Sequence, residues 1–150
     1  MSEYETVRHL LPLLSTGQSH KEIFHNEALQ RLDFLIDPVA SGQISDPSNL
    51  APSVGESWLV GATASGAWEG KEDNIACWTE NGWIFVNPIE TSKTLITDQG
   101  SFAIFRNNIW QRAESIQPPD GGAIIDEEAR SAIDSILTAL QMHGILPNQA

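Results

Sequence analysis

Cysteine is nearly missing. The single residue, Cys77, allows neither an intrachain disulfide nor a cysteine zinc cluster. Basic residues are scarce: 8 Lys and Arg face 20 Asp and Glu, a formal charge of -12. A chain of that sign is a poor ligand for nucleic acid or for anionic membrane surfaces, which both need cationic patches. No apolar run approaches the roughly 20 residues of a membrane span. The start, Met1-Ser2-Glu3-Tyr4-Glu5, lacks the basic segment that opens a secretion signal. Repeats and low-complexity tracts are also missing. What is present is 150 residues, 41% hydrophobic and 19% charged. That composition is globular, and the length suits a domain able to bury a real core. The expectation is an acidic, soluble domain made inside the cell.

The patterning predicts an N-terminal arm and helix over 1–37, a linker over 38–53, a Trp-rich β domain over 54–116, and a linker with a C-terminal helix over 117–150. The first helix is expected from about Ser19, its N-cap, to Ile36. Phe24, Ala28, Leu32 and Leu35 recur on one side of it, and Asp37-Pro38 ends it. Leu10-Leu11-Pro12-Leu13-Leu14 reads as an extended arm or a short helical turn. The second helix is expected from about Glu127 to Met142, capped by Asp126 and stopped at His143-Gly144. Its apolar stripe is Ala129, Ile133, Ile136, Leu137 and Leu140.

The middle reads as strands and tight turns. Asn81-Gly82 predicts a type I′ hairpin pairing Glu80 with Trp83, Thr79 with Ile84 and Trp78 with Phe85. Asn107-Asn108 predicts a second hairpin pairing Phe105 with Trp110. Further strands are expected at Ser57 to Val60 and Thr94 to Thr97. Both hairpins are apolar on both faces, so each face is covered by the rest of the domain or meets a partner. The expected class is α+β, a small antiparallel sheet of Trp-rich hairpins flanked by the two helices.

Chemistry is hard to find in the pattern. Gly61 to Trp68 has the glycine spacing of a P-loop without its Lys and Ser/Thr, so a glycine-rich turn is the better reading. His20, Glu22, His25 and Glu27 cluster on the first helix. His20 and His25 point about 140° apart, however, so only Glu22 and His25 could share a metal, and a polar face explains the cluster as well. Cys77 reads as a buried, inert thiol. Ser57 and Ser65 lie in no nucleophile motif. No carboxylate pair implies acid–base work, so no enzyme, cofactor or metal is expected. The five tryptophans read first as packing. A sharper reading places sugar contacts at Trp68, Asp73, Asn74 and Trp110. Gln18, Lys21, Glu22, His25 and Asn26, with Ile133, Leu137 and Leu140, are candidates for an assembly interface.

The stretch Gly17-Gln18-Ser19-His20-Lys21-Glu22 through Asn26-Glu27-Ala28-Leu29-Gln30-Arg31-Leu32-Asp33 resembles the opening of the domain of unknown function 2793 family. Gly55 to Val60, Gly66-Ala67-Trp68-Glu69-Gly70 and Gly82-Trp83-Ile84-Phe85-Val86-Asn87-Pro88 resemble its core, so the resemblance runs over roughly 10–113. A second stretch, Gly121 to Arg130 with Leu140 to Leu146, resembles the ends of short phage-related proteins of alphaproteobacteria. The resemblance implies a non-enzymatic virion structural protein of a tailed phage or gene transfer agent. The part expected is a head-spike or fibre base or adaptor that self-associates, as a trimer or pentamer. Its implied partners are capsid vertex or tail components, a longer fibre subunit and host capsular polysaccharide. The alternative is a carbohydrate-binding module. The family carries no catalytic residues to transfer. The charge of -12 also predicts that assembly is salt-sensitive.

Overall fold

The computed structural model describes residues 4–15, 17, 20–122 and 125–148, and the expected contact Gln18 and N-cap Ser19 lie outside them. The class is α+β. The chain divides into two compact units, Met1–Ile89 and Glu90–Ala150. The boundary therefore falls inside the 54–116 stretch that the sequence pattern kept as one β domain.

The first unit carries α1 (Lys21–Ile36), β1 (Val39–Ala40), β2 (Gln43–Ile44), β3 (Ser57–Val60), a short 3-10 turn (Gly66–Trp68), β4 (Ile75–Thr79) and β5 (Gly82–Val86). Its sheet runs β2-β3-β4-β5. β2 lies parallel to β3, and the other pairs are antiparallel. The expected linker over 38–53 thus contains two strands, each only two residues long, too short to leave a periodic signal. Leu10 to Leu14 is not helical: Glu5 bridges Pro12, the Thr6 amide donates to the Leu11 carbonyl at 2.9 Å, and that of Leu13 to Tyr4 at 2.8 Å.

The first hairpin forms, but its register differs by two residues. Trp78 faces Trp83, Cys77 faces Ile84 and Ala76 faces Phe85. The two-residue turn is Glu80-Asn81, followed by Gly82 at φ 102. A glycine bulge therefore replaces the type I′ turn, and Gly82 supplies the one positive φ it requires. The Thr79 hydroxyl locks the turn, accepting from the Asn81 amide at 3.2 Å and donating to the Gly82 carbonyl at 2.8 Å. A slip of two residues preserves side-chain parity. Trp78, Trp83 and Phe85 therefore still share one face, and Cys77, Ile84 and Val86 the other.

The second unit carries β6 (Lys93–Ile96), β7 (Ser101–Arg106), β8 (Ile109–Arg112) and α2 (Glu127–Met142). The three strands form an antiparallel meander. Asn107 and Asn108 sit at φ 53 and 61, the left-handed pair of a type I′ turn, and Phe105 faces Trp110 as expected. Asp126 caps α2, its carboxylate accepting from the Ala129 amide at 2.9 Å. Gly144 closes it at φ 66, where a Cβ would stand 3.1 Å from the Phe102 ring. Leu137 and Leu146 are buried, as are Ile96, Ala103 and Phe105 of the strands.

Candidate functional site

α1 turns a different side inward from the one its periodicity suggests. Phe24 is 77% exposed, and Leu32 and Leu35 are also exposed. The buried residues are Glu22, Asp33 and Phe34. The reason is Asp33, 1% exposed, which gathers donors from the N-terminal turn. The Thr6 hydroxyl donates at 2.7 Å, the Arg8 amide at 2.8 Å and the His9 amide at 2.7 Å. Burial alone would raise the Asp33 pKa. These hydrogen bonds outweigh it and hold the carboxyl below its usual range. The His9 ring lies 3.1 Å from Asp37 and 3.2 Å from Asp33. The Asp37 bond, with those of Asp33, raises its pKa against the opposing effect of desolvation.

Arg8 fastens the turn to the sheet. Its Nε donates to the Gly55 carbonyl and its Nη2 to the Ser57 hydroxyl, both at 2.9 Å. Its guanidinium lies 4.4 Å from the centre of the Phe34 ring. The Ser57 hydroxyl passes the chain on to the Val39 carbonyl. A cavity of about 60 Å³ beside Asp33 is lined by Thr6, Gln30 and Glu80 among others. It has room for a couple of water molecules and not for an organic substrate. The assembly is a structural bolt. The only sequence cue to it is an acid set between Leu32 and Phe34.

The tryptophans explain the doubly apolar first hairpin. Trp83 is their hub, with ring centres 5.7 Å from Trp58, 5.0 Å from Trp68 and 4.8 Å from Trp78, all edge-on. Loop 61–74 folds Trp68 onto this face, where Trp58, Val60, Trp68 and Ala76 form a core with Leu50 and Ala64. Trp68 is fully buried, which corrects the expected exposed platform: its ring has no free face for a sugar. Asn74 is buried too and Asp73 is half-buried at φ 63. Trp110 belongs to the other unit, half-buried with its ring 5.3 Å from that of Phe105. On the opposite face Cys77 is enclosed, and burial pushes its thiol up to about 12 against the pull of Arg8 and Arg31.

The assembly candidates separate. Lys21 and His25 are exposed on α1. Glu22 is buried, with one carboxylate oxygen unpartnered among the described residues. Asn26 is a latch, its amide bonding both the N–H and the carbonyl of Leu14 at 2.9 Å. On α2, Leu137 is buried and Leu140 is half-buried. Ile133 and Ile136 remain 41% and 58% exposed. Among the described residues no group of three His, Cys, Asp or Glu could hold a metal ion.

Sequence reasoning missed a groove in the second unit. It has a volume of about 270 Å³, with Lys93, Arg106 and Arg112 around Phe102, Ile104 and Ile145. The Lys93 ammonium lies 3.8 Å from the centre of the Phe102 ring. The available signal was the interruption of the apolar alternation by Lys93, Arg106 and Gln111.

The family described as "Protein of unknown function (DUF2793)" matches residues 25–111, more than half of the chain. No curated protein matches it.

Proposed function

The chain belongs to the DUF2793 family, and we propose that it is a non-enzymatic structural subunit that self-associates, the base or adaptor of a spike or fibre on a phage-type particle. One observation carries the self-association. α2 is a 16-residue amphipathic helix of which Leu137 alone is fully buried. Ile133 and Ile136 stand open on it, and an apolar stripe left open on a helix is the kind of surface that marks a protein contact. α1 repeats the arrangement with Ile23, Phe24, Leu32 and Leu35 exposed. The virion setting rests on the family resemblance. Closed cyclic symmetry is the common way for identical subunits to cover such a surface.

Light scattering on the full chain tests the reading. The expected result is an oligomer that Ile133→Asp together with Ile136→Asp dissociates, with helicity unchanged because neither side chain is in the core. A wild-type monomer at millimolar concentration would overturn it. The carbohydrate alternative has lost its main support, since Trp68 is enclosed.

A further inference from the structure

Three of the chain's eight Lys and Arg line the groove of the second unit, and none of its 20 Asp and Glu does. The strand register places two of them, Lys93 and Arg106, on one side of the sheet, whereas Arg112 faces Ala103 and has the opposite parity. Lys93 faces Ile104 and Ile104 faces Gln111, so the three share one side of the sheet. Phe102 and Arg106, two residues before and after Ile104, share it too. Phe102 and Ile104 are half-buried and make an apolar floor, while Lys93 and Arg106 are exposed at the rim. Neither cation forms an ion pair among the described residues. Glu90, which precedes the first of these strands, accepts from the Asn107 amide at 3.2 Å.

A groove of this kind suits a short acidic segment that also carries an aliphatic side chain. The carboxylates meet the rim and the aliphatic group meets the floor. An extended polyanion fits poorly, because beyond the groove it would meet a chain of net charge -12. The segment that starts α2 has the required chemistry. Ile125 is 57% exposed, and Glu127 and Glu128 are exposed and without ion pairs among the described residues. It cannot serve its own groove. Ile145, on the groove wall, follows closely on Met142, the last residue of α2. At about 1.5 Å of rise per residue, the helix holds Glu127 about 22 Å from Met142.

We propose that the groove of one copy receives the Ile125–Glu128 segment of a second copy. The inference deepens the self-association reading above and rests on it. The contact joins two different patches of one chain, so it repeats head to tail until a ring closes, or closes reciprocally in a dimer.

The test uses two variants of the full chain. One reverses the groove, Lys93→Glu with Arg106→Glu. The other reverses the helix start, Glu127→Lys with Glu128→Lys. Each alone is expected to weaken association by about tenfold or more, since attraction becomes repulsion across the contact. Far-UV circular dichroism should stay unchanged, because all four side chains are exposed. An equimolar mixture should recover association, as the reversed groove then meets the reversed helix. Variants that associate like the wild type, or a mixture as dissociated as its components, would overturn the proposal while leaving self-association through Ile133 and Ile136 intact. A wild-type chain that stays monomeric would overturn both.

Discussion

Asp33→Asn is the sharpest test of what holds the N-terminal unit together. The change keeps the size of the side chain and one carbonyl oxygen. With that oxygen at the Oδ1 position, the Thr6 hydroxyl and the His9 amide keep their acceptor. The new NH2 then faces the Arg8 amide, which at present donates at 2.8 Å, so two donors meet. The opposite orientation orphans two donors in place of one. The smaller loss is one unsatisfied buried donor, about 1–3 kcal/mol, with about 1 kcal/mol more for each remaining bond that loses its charged acceptor. A total of about 3–5 kcal/mol is expected, a large part of the 5–15 kcal/mol typical of a domain. Asp33→Ala orphans all three donors and should cost about 5 kcal/mol or more, whereas Thr6→Val, which also takes the acceptor from the Leu11 amide at 2.9 Å, should cost about 2–3 kcal/mol. Urea titration followed by tryptophan fluorescence reads this unit well, because Trp58, Trp68, Trp78 and Trp83 all lie in it. A shift below about 0.5 kcal/mol for Asp33→Asn, with unchanged m value, would refute the reasoning.

Three further outcomes concern the same unit. His9 has a raised pKa when folded, chiefly through Asp37; its contribution is complete below the unfolded value and lost as pH rises through the folded one, so Tm of the wild type should fall more between pH 6 and 8 than that of His9→Gln. Asp33 acts in the opposite sense: its contribution is present above the ordinary carboxylate value of 3.8 and lost as pH falls through the lowered folded value, so acid unfolding of the wild type should set in below that of Asp33→Asn. Cys77, with its thiol raised to about 12 and fully enclosed, should be labelled by a disulfide reagent at pH 8 only as fast as the unit unfolds; rapid labelling of the folded chain would contradict the burial.

What the sequence makes legible is what neighbouring residues decide. The cap, span and stop of α2 follow from Asp126, its apolar stripe and Gly144. The Asn107-Asn108 turn follows from two residues that tolerate the left-handed region. The first hairpin is legible in its faces and not in its register, because Gly82 serves a bulge as readily as a type I′ turn. The inward side of α1 is illegible locally. Its periodicity favours Phe24, Leu32 and Leu35, and the three donors that draw Asp33 inward include Thr6 and His9, 27 and 24 residues away. For the same reason no count of tryptophans could tell that Trp68 is core. Its burial depends on how loop 61–74 returns over the sheet.

The two hairpins share one sequence property, apolar residues on both faces, and meet different ends. In the first, Trp58, Trp68 and Leu50 close over the tryptophan face, and Arg8, the N-terminal turn and Phe34 lie at the other. In the second, Ala103 and Phe105 go inward while Phe102 and Ile104 stay half-open between cations. The difference lies in which charges interrupt the alternation. On the tryptophan face the charges already have company inside the unit: Glu56, whose carbonyl accepts from the Trp78 amide, takes the Ser53 amide on its carboxylate at 2.9 Å, and Lys71 lies 5.5 Å from the centre of the Phe85 ring. Lys93 and Arg106 stand on the open face of the second hairpin, and sealing it inside one chain would bury two cations without partners, at several kcal/mol each. A second chain that brings its own carboxylates covers the same face without that cost. On the proposal above, the open face of the second hairpin, with Lys93 and Arg106 at its rim, is the one that a second copy covers.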